Sequence, residues 1–440
     1  MAFWLFCMNT AWNRIRSSRM AKNVFALYVL QLAYTVLPLL TVPYLIQKLT
    51  PEGFGLSAAT QSFAGYFNVV LEYGFYFSAV REVAAVKNDR VLLSKTVASI
   101  FWTKTVLTVA CTCVFAAFIG FAPNFQINRF EYVIAYLTIV TSSFLPIWLY
   151  QGLELVSETS YWSLAARFGQ LPFMFWLVRS KSDVWIWLLI SLGTALVLTV
   201  TFWFRAIPRL VSFPKWPGWN DILKQLQLGF TIFFSSAATS LYTVGNTFVL
   251  SQLIGIKSAG YYAAVEKIVR ALFGLLIPVQ QVLFPRISDL VQKNQGKAVR
   301  VARLATGVNS LLGVFLGFGL AIFASPIQET LLGKEYKAAV PLLQIMATLP
   351  FLFAAGSSLT YQLLIPFHLD RGLVIVYLFA GIVNILLAFI LVPRISFFGM
   401  AASVIIAESI VVIGQIWVLR HVGINLFRAS LKRDLLLPVK

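Results

Sequence analysis

Twelve times along its 440 residues this chain returns to an apolar stretch near the roughly 20 residues a helix needs to cross a bilayer. The stretches fall at about 23–47, 54–78, 96–121, 130–152, 161–180, 184–206, 226–254, 259–285, 301–326, 340–366, 372–393 and 398–420. Lipid offers the backbone no hydrogen-bonding partner, so each stretch is predicted to be a helix. The expected fold is therefore all-α, a polytopic membrane protein with twelve transmembrane helices in two six-helix lobes around a central cavity. Several stretches, best seen at 54–78 and 259–285, carry a charge on a helical stripe of polar residues. Ionisable groups at that depth are costly and usually face a bundle interior or a watery cavity. An apolar shell around a polar, positive interior points to movement of something polar and anionic across a membrane.

The charges also set the orientation. With the N-terminus placed in the cytoplasm, 23 of the 35 Lys and Arg fall in inside segments, 8 in outside segments and 4 within spans. This bias supports two cytoplasmic termini. One inside loop, 153–160, has no basic residue. Nucleic-acid binding, the other reading of a net charge of +19, is set aside because the basic residues form no single patch. Cys7, Cys111 and Cys113 suggest neither a disulfide framework nor a zinc site, and His368 and His421 lack metal-ligand spacing. No metal and no cofactor are expected. There is no G-x-x-x-x-G-K-[ST], so the chain is not itself an ATPase.

The chain looks duplicated. PYLIQKLTPEGFGLSAATQSF from Pro43 and FVLSQLIGIKSAGYYAAVEKI from Phe248 share a span, a turn with a basic residue, a Gly–aromatic pair and a second span. Gly55 aligns with Gly260 at an offset of 205, and the same offset sends the basic loop 79–95 onto the basic loop 286–300. The expected organisation is a cytoplasmic segment 1–22, an N-lobe 23–206, a cytoplasmic linker 207–225, a C-lobe 226–420 and a cytoplasmic tail 421–440. Parallel repeats of this kind place a substrate site between lobes and allow alternating access.

The first half contains PEGFG at Pro51–Gly55, EYGF at Glu72–Phe75, REVA at Arg81–Ala84 and PIWLYQGLE at Pro146–Glu154. The second contains GYYAAVEKIVR at Gly260–Arg270 and LFPRIS at Leu283–Ser288. Together these resemble the polysaccharide-transporter branch of the multidrug/oligosaccharidyl-lipid/polysaccharide exporter superfamily, of which bacterial O-antigen flippases are members. The resemblance covers about residues 23 to 420. One position departs from it, since Leu155 stands where the family often has a basic residue after QG-x-E. The resemblance implies a carrier, not an enzyme, in the bacterial inner membrane and in lipopolysaccharide biosynthesis. Its cargo would be an undecaprenyl-pyrophosphate-linked oligosaccharide, moved from the cytoplasmic to the periplasmic leaflet. Inner-membrane lipids, a proton or sodium as coupling ion, and a polysaccharide polymerase with chain-length machinery would be its partners. Two alternatives stay open: a drug or solute antiporter of the same superfamily, and a membrane glycan polymerase or ligase. The second is disfavoured by the shortness of the predicted external loops.

Such a cargo needs cations for its phosphates and hydroxyl or amide partners for its sugars. Glu266 and Arg270, at i and i+4, share a face of the eighth span, with Lys267 beside them. Either Arg270 and Lys267 bind pyrophosphate while Glu266 exchanges a proton or balances charge, or Glu266 and Arg270 are an ion pair that fixes packing. Gln61, Gly65, Asn68 and Glu72 form one stripe, and Ser235, Thr239, Tyr242 and Asn246 form another. Each stripe reads as cavity lining or as interhelical hydrogen bonding. Arg167 is expected near the cytoplasmic entrance, attracting pyrophosphate or snorkelling to headgroups. Arg81, at the cytoplasmic mouth, is a cargo contact or an orientation signal. Lys104 is expected to snorkel. Glu72, Glu266 and Glu408 are the candidate ion-coupling carboxylates. Pro38, Pro43, Pro278 and Pro350 are expected to bend or break helices.

Overall fold

The computed structural model describes residues 19–212 and 214–424, and every element among them is helical. Much of the expected segment 1–22 and of the tail 421–440, with Cys7 and Arg428, lies outside the described residues. In chain order the α-helices are α1 (Arg19–Glu72), α2 (Phe75–Val86), α3 (Arg90–Phe121), α4 (Arg129–Ser143), α5 (Ile147–Gly152), α6 (Val156–Leu177), α7 (Val184–Arg209) and α8 (Trp219–Thr243). Then follow α9 (Asn246–Ile254), α10 (Ile256–Lys293), α11 (Gln295–Ile322), α12 (Ala324–Ile327), α13 (Val340–Met346), α14 (Leu349–Leu359), α15 (Asp370–Ile395) and α16 (Phe397–His421).

Each of the twelve predicted stretches coincides with helix. Among the described residues, six segments are long and apolar enough to cross a membrane by length and composition alone: α3, α4 with α5, α7, α11, α15 and α16. Lys334–Met346 and Leu349–Leu364, bent by 42°, make a seventh. α1, α8 and α10 carry the polar stripes, and α1 packs against both α8 and α10 where the first and second halves meet.

Pro38 and Pro43 leave α1 helical. Its one departure from helical angles is Thr50 (φ 62°, ψ 172°), directly before Pro51. The proline ring disfavours helical angles in the residue preceding it, so the break lands there. α10 likewise runs unbroken past Pro278, whereas Pro350 opens α14 just after the bend.

The offset of 205 proves to be structural. Thr50 corresponds to Gly255, and both have positive φ with ψ near 170° (φ 62°, ψ 172° and φ 96°, ψ 166°). Asp89 corresponds to Asn294, and each caps the next long helix. Asp89 Oδ1 accepts from the amides of Val91 (2.9 Å) and Leu92 (3.0 Å), and Asn294 Oδ1 from that of Lys297 (2.9 Å).

Loops expected on one side of the membrane cluster at one end of the bundle. At the end rich in basic residues, Lys87 pairs with Glu154 (2.8 Å), Lys95 with Asp221 (3.5 Å), and Gln225 donates to Glu82 (2.8 Å). At the opposite end Tyr44 donates to the Val178 carbonyl (2.8 Å) and Tyr261 to that of Glu335 (3.2 Å). Apolar packing differs between the ends. Around the Gly55–Gly260 crossing a single core joins both halves, from Leu45, Ile46 and Leu49 through Tyr262 and Val265 to Leu343 and Val404. Towards the basic end the cores separate. One is built around Phe75, Ile100, Trp148 and Phe202, the other around Ile287, Leu363, Val411 and Leu419.

Candidate functional site

α10 is apolar enough to be held among helices, yet it carries Glu266, Lys267 and Arg270 within one and a half turns. The i,i+4 spacing puts Glu266 and Arg270 on one face. Arg270 Nε and Nη2 both donate to Glu266 Oε1, at 3.0 and 2.8 Å, and Nη2 also donates to the Thr243 carbonyl at 2.8 Å. Thr243 ends α8, and the break at Val244–Gly245 before α9 leaves that carbonyl available to a side chain. Thr247 donates to the other oxygen, Glu266 Oε2 (3.4 Å). The guanidinium is thus held from two helices while its side chain keeps 45% exposure.

That exposure faces a cavity of about 740 Å³. Its polar lining includes Arg270, Glu266, Asn246, Glu408, Tyr377 and Gln280, and stacked Phe273 and Phe353 (ring centroids 4.1 Å apart) form an apolar wall. The walls come from α8, α9, α10, α13, α14, α15 and α16, with Phe77 reaching in from the first half. Glu408 points in from α16 and has no ion pair or hydrogen bond among the described residues. Gln280 donates to Ser357, whose hydroxyl bonds back to α14. Beyond α14 the chain passes into a wider π turn, Thr360–Leu364, and Thr360 meets Tyr377 Oη at 3.1 Å.

The structure gathers Arg270, Glu266, Asn246 and Glu408 at this cavity. Asn246 is buried, and its amide is taken by the Tyr242 carbonyl (2.7 Å). Lys267 is exposed beside the site and does not line it. The remaining candidates lie elsewhere. Gln61 is exposed on α1 and donates to Ser57 (2.8 Å). Asn68 is half-buried on the same helix, Arg81 is exposed on α2 at the basic end, and Arg167 is half-buried on α6 with partners of its own.

Glu72 is occupied. It receives Lys104 Nζ on both oxygens at 3.3 Å, and Nζ also donates to the Ser143 carbonyl at 2.6 Å. Lys104 is 2% exposed and sits over the Phe75 ring. The expectation that it snorkels is therefore corrected. A stem in mid-helix with a carboxylate and a free carbonyl within reach stays inside. Among the residues not foreseen at the cavity, Tyr377 and Ser357 lie on spans whose apolar composition gives no stripe to read, whereas Gln280 lies about four turns past Glu266 on the striped α10.

The sequence matches the family described as "Polysaccharide biosynthesis protein" over residues 20–291. The chain belongs to that family. A relative named "Putative O-antigen transporter" from Escherichia coli (strain K12) is 29% identical over 401 residues, covering 89% of this chain and 94% of its own. Another of that name from Shigella dysenteriae is 26% identical over 399 residues, covering 90% and 98%. Among solved structures, the lipid II flippase MurJ in an inward closed conformation superposes with a TM-score of 0.70 at 15% identity, over 91% of this chain and 87% of its own. An inward-facing MATE multidrug transporter of the MOP superfamily gives 0.64 at 12% identity, over 88% and 98%. This member of the family therefore has the two-lobed helical transporter fold of that superfamily.

Proposed function

We propose that the protein is a flippase for a polyprenyl-pyrophosphate-linked oligosaccharide, working by alternating access in the bacterial inner membrane with both termini cytoplasmic. The single observation that carries this reading is Arg270. Its guanidinium is pinned through Nε and Nη2, faces a cavity between helices, and keeps Nη1 for an incoming phosphate oxygen. A pinned guanidinium binds an anion without first losing rotamer freedom. Lys267, three residues before it on α10, adds positive charge beside the site. Tyr377 and Glu408 offer hydroxyl and carboxylate partners to sugars, and Asn246 holds the Tyr242 carbonyl behind them. The polyprenyl tail stays in lipid.

The name of the family and of its transporter relatives supports the same cargo class. Glu408 and Glu266 are the coupling carboxylates in this reading, exchanging a proton or holding a cation as the cavity changes sides. The membrane potential favours the same direction. Moving two phosphate charges out of a negative interior is worth roughly 5 kcal/mol per 100 mV.

The test is flipping of a fluorescent polyprenyl-pyrophosphate oligosaccharide in reconstituted vesicles. A lost charged hydrogen bond is worth about 1.5–3 kcal/mol, so Arg270→Ala should slow flipping roughly ten- to a hundredfold. Unchanged flipping would remove Arg270 from the site, and no flipping by the wild type would remove the reading. A drug or solute antiporter is the second reading, favoured by Glu408, a carboxylate facing the cavity without a partner. Export of an organic cation lost in Glu408→Gln but kept in Arg270→Ala would select it.

A further inference from the structure

The break between α8 and α9 leaves three consecutive carbonyls without their helical partners. In an unbroken helix the oxygens of Tyr242, Thr243 and Val244 would accept from the amides of Asn246, Thr247 and Phe248. Here each takes a side chain from a different place. Asn246 Nδ2 donates to the Tyr242 carbonyl (2.7 Å), Arg270 Nη2 to that of Thr243 (2.8 Å) and the Ser62 hydroxyl to that of Val244. The helical ladder resumes at once on both sides, with Val244 N donating to Ser240 O (3.2 Å) and Val249 N to Gly245 O (2.9 Å). Asn246 and Arg270 belong to the second half, on α9 and α10. Ser62 comes from α1, in the first half.

Ser62 does more than satisfy one carbonyl. Its Oγ also accepts from the Phe248 amide at 3.4 Å. Val244 and Phe248 stand at i and i+4, so the hydroxyl sits inside the ladder and holds its two sides apart. A side chain inserted in this way is one of the few causes of a sharp helix break. The neighbouring contacts fit the wedge. A Cβ on Gly245 would overlap the Tyr66 hydroxyl, and one on Gly65 would lie 2.7 Å from Val244 Cγ1. Ser62, Gly65 and Tyr66 fall at i, i+3 and i+4, so one face of α1 is shaped to the break. The repeat supplies a control. At the offset of 205, Val244 and Gly245 correspond to Leu39 and Leu40, which stay inside α1, and Ser62 corresponds to Lys267, which has no hydroxyl to insert.

We infer that Ser62 is a positioning residue for Arg270. By keeping the ladder open between Val244 and Phe248, it also keeps the adjacent pair, Thr243 and Thr247, from closing. The Thr243 carbonyl then stays free for the guanidinium. Without it, Arg270 has only Glu266 on its own helix and folds onto it as an ordinary i,i+4 pair. The first half thus sets the posture of a side chain in the second. Withdrawing α1 from the break lets α8 run on into α9 and releases the arginine. That an anion binds there rests on the function proposed above. The placement of the guanidinium by Ser62 does not.

The experiment uses the full-length protein in lipid nanodiscs, and its first two readouts need no cargo. Deuterium exchange across residues 246–248 reads the break, and modification of Arg270 by phenylglyoxal, located by mass, reads the guanidinium. Ser62→Ala should slow that exchange about tenfold, because the helix closes. It should speed modification of Arg270 about threefold, because one hydrogen bond to the guanidinium is gone. Ser62→Thr, which keeps the hydroxyl, should match the parent in both. A residue that only supported packing would make exchange faster when removed. Exchange that is faster or unchanged in Ser62→Ala, or Arg270 reactivity that does not move, overturns the assignment. Equilibrium binding of farnesyl pyrophosphate is the third readout. Ser62→Ala should weaken it about fivefold in the parent and leave it unchanged in an Arg270→Ala background. Equal weakening in both backgrounds overturns action through Arg270. No binding by the parent, with the first two readouts as expected, counts against the proposed function and leaves the positioning role standing.

Discussion

Both halves hold a carboxylate–cation pair within the membrane-spanning helices, and the two pairs are built in opposite ways. In the first half, Glu72 on α1 and Lys104 on α3 tie separate helices together, and the cation is sealed with a carbonyl as its third partner. In the second half, Glu266 and Arg270 lie on a single helix and the cation stays open to a cavity. Burying a charge is tolerated only with full compensation, which the first pair has. The second pair is compensated just enough to be held and remains available. Duplication preserved the turn, the caps and the glycine crossing but not the charges. The frame is symmetric and the candidate site is not.

The comparison breaks first if the two cations can be exchanged in role. Arg270→Ala should abolish most flipping while leaving the amount of folded protein and its melting temperature in detergent near those of the wild type. Lys104→Ala should do the reverse, destabilising by about 3 kcal/mol because Glu72 is left without its counter-ion, with flipping per folded molecule largely kept. Equal effects on both readouts would erase the distinction. A smaller effect sharpens it: Glu72→Leu combined with Lys104→Met should recover most of that loss, since a packed apolar pair often matches a buried ion pair. Thermal melts of the single and double variants decide this.

The matching turns give a still smaller contrast. Thr50 holds a conformation close to glycine-only territory, whereas Gly255 holds nearly the same angles freely. Thr50→Gly should therefore stabilise by about 1 kcal/mol, and Gly255→Thr should destabilise by about as much. Opposite signs in a melt would mean the Thr50 hydroxyl, which donates to Glu52, matters more than the backbone.

The smallest effect concerns pH at the exposed Glu52–Lys257 pair, which joins the two halves at 3.2 Å. Burial works against it, yet its own backbone amide and Lys257 hold the Glu52 carboxyl below the ordinary value of 4.5, and Glu52 holds the Lys257 ammonium above the ordinary 10.5. A lowered carboxylate contributes stability present above 4.5 and lost as pH falls through its folded value. A raised ammonium contributes stability present below 10.5 and lost only at higher pH. This pair's contribution to the melting temperature in detergent should thus stay flat from about pH 5 to 9 and fall only in acid. A Glu52→Gln variant should lack that part of the fall.

That the twelve predicted stretches are helical was legible because an apolar run of that length has no other way to satisfy its backbone in lipid, and the repeat was legible because Gly55 and Gly260 are fixed by backbone contact. Which face of a helix looks inward was harder. α15 and α16 are apolar on all sides, so Tyr377 and Glu408 gave no stripe to orient them. Lys104 and Glu72 are neighbours only through the packing of α3 on α1, which no periodicity reports. Arg81, Arg167, Gln61 and Asn68 have the chemistry of a site, but the cavity forms on the other side of the α1–α8 contact, among helices of the second half.

The Glu72–Lys104 pair also bears on how the chain is made. Its carboxylate is synthesised 32 residues ahead of its counter-ion. At about 5–20 residues per second, Glu72 waits roughly 2–6 s before Lys104 exists. During that interval the nascent hairpin must shelter a lone acid, protonated or beside the insertion machinery, until the third crossing arrives and lets it settle into the bilayer.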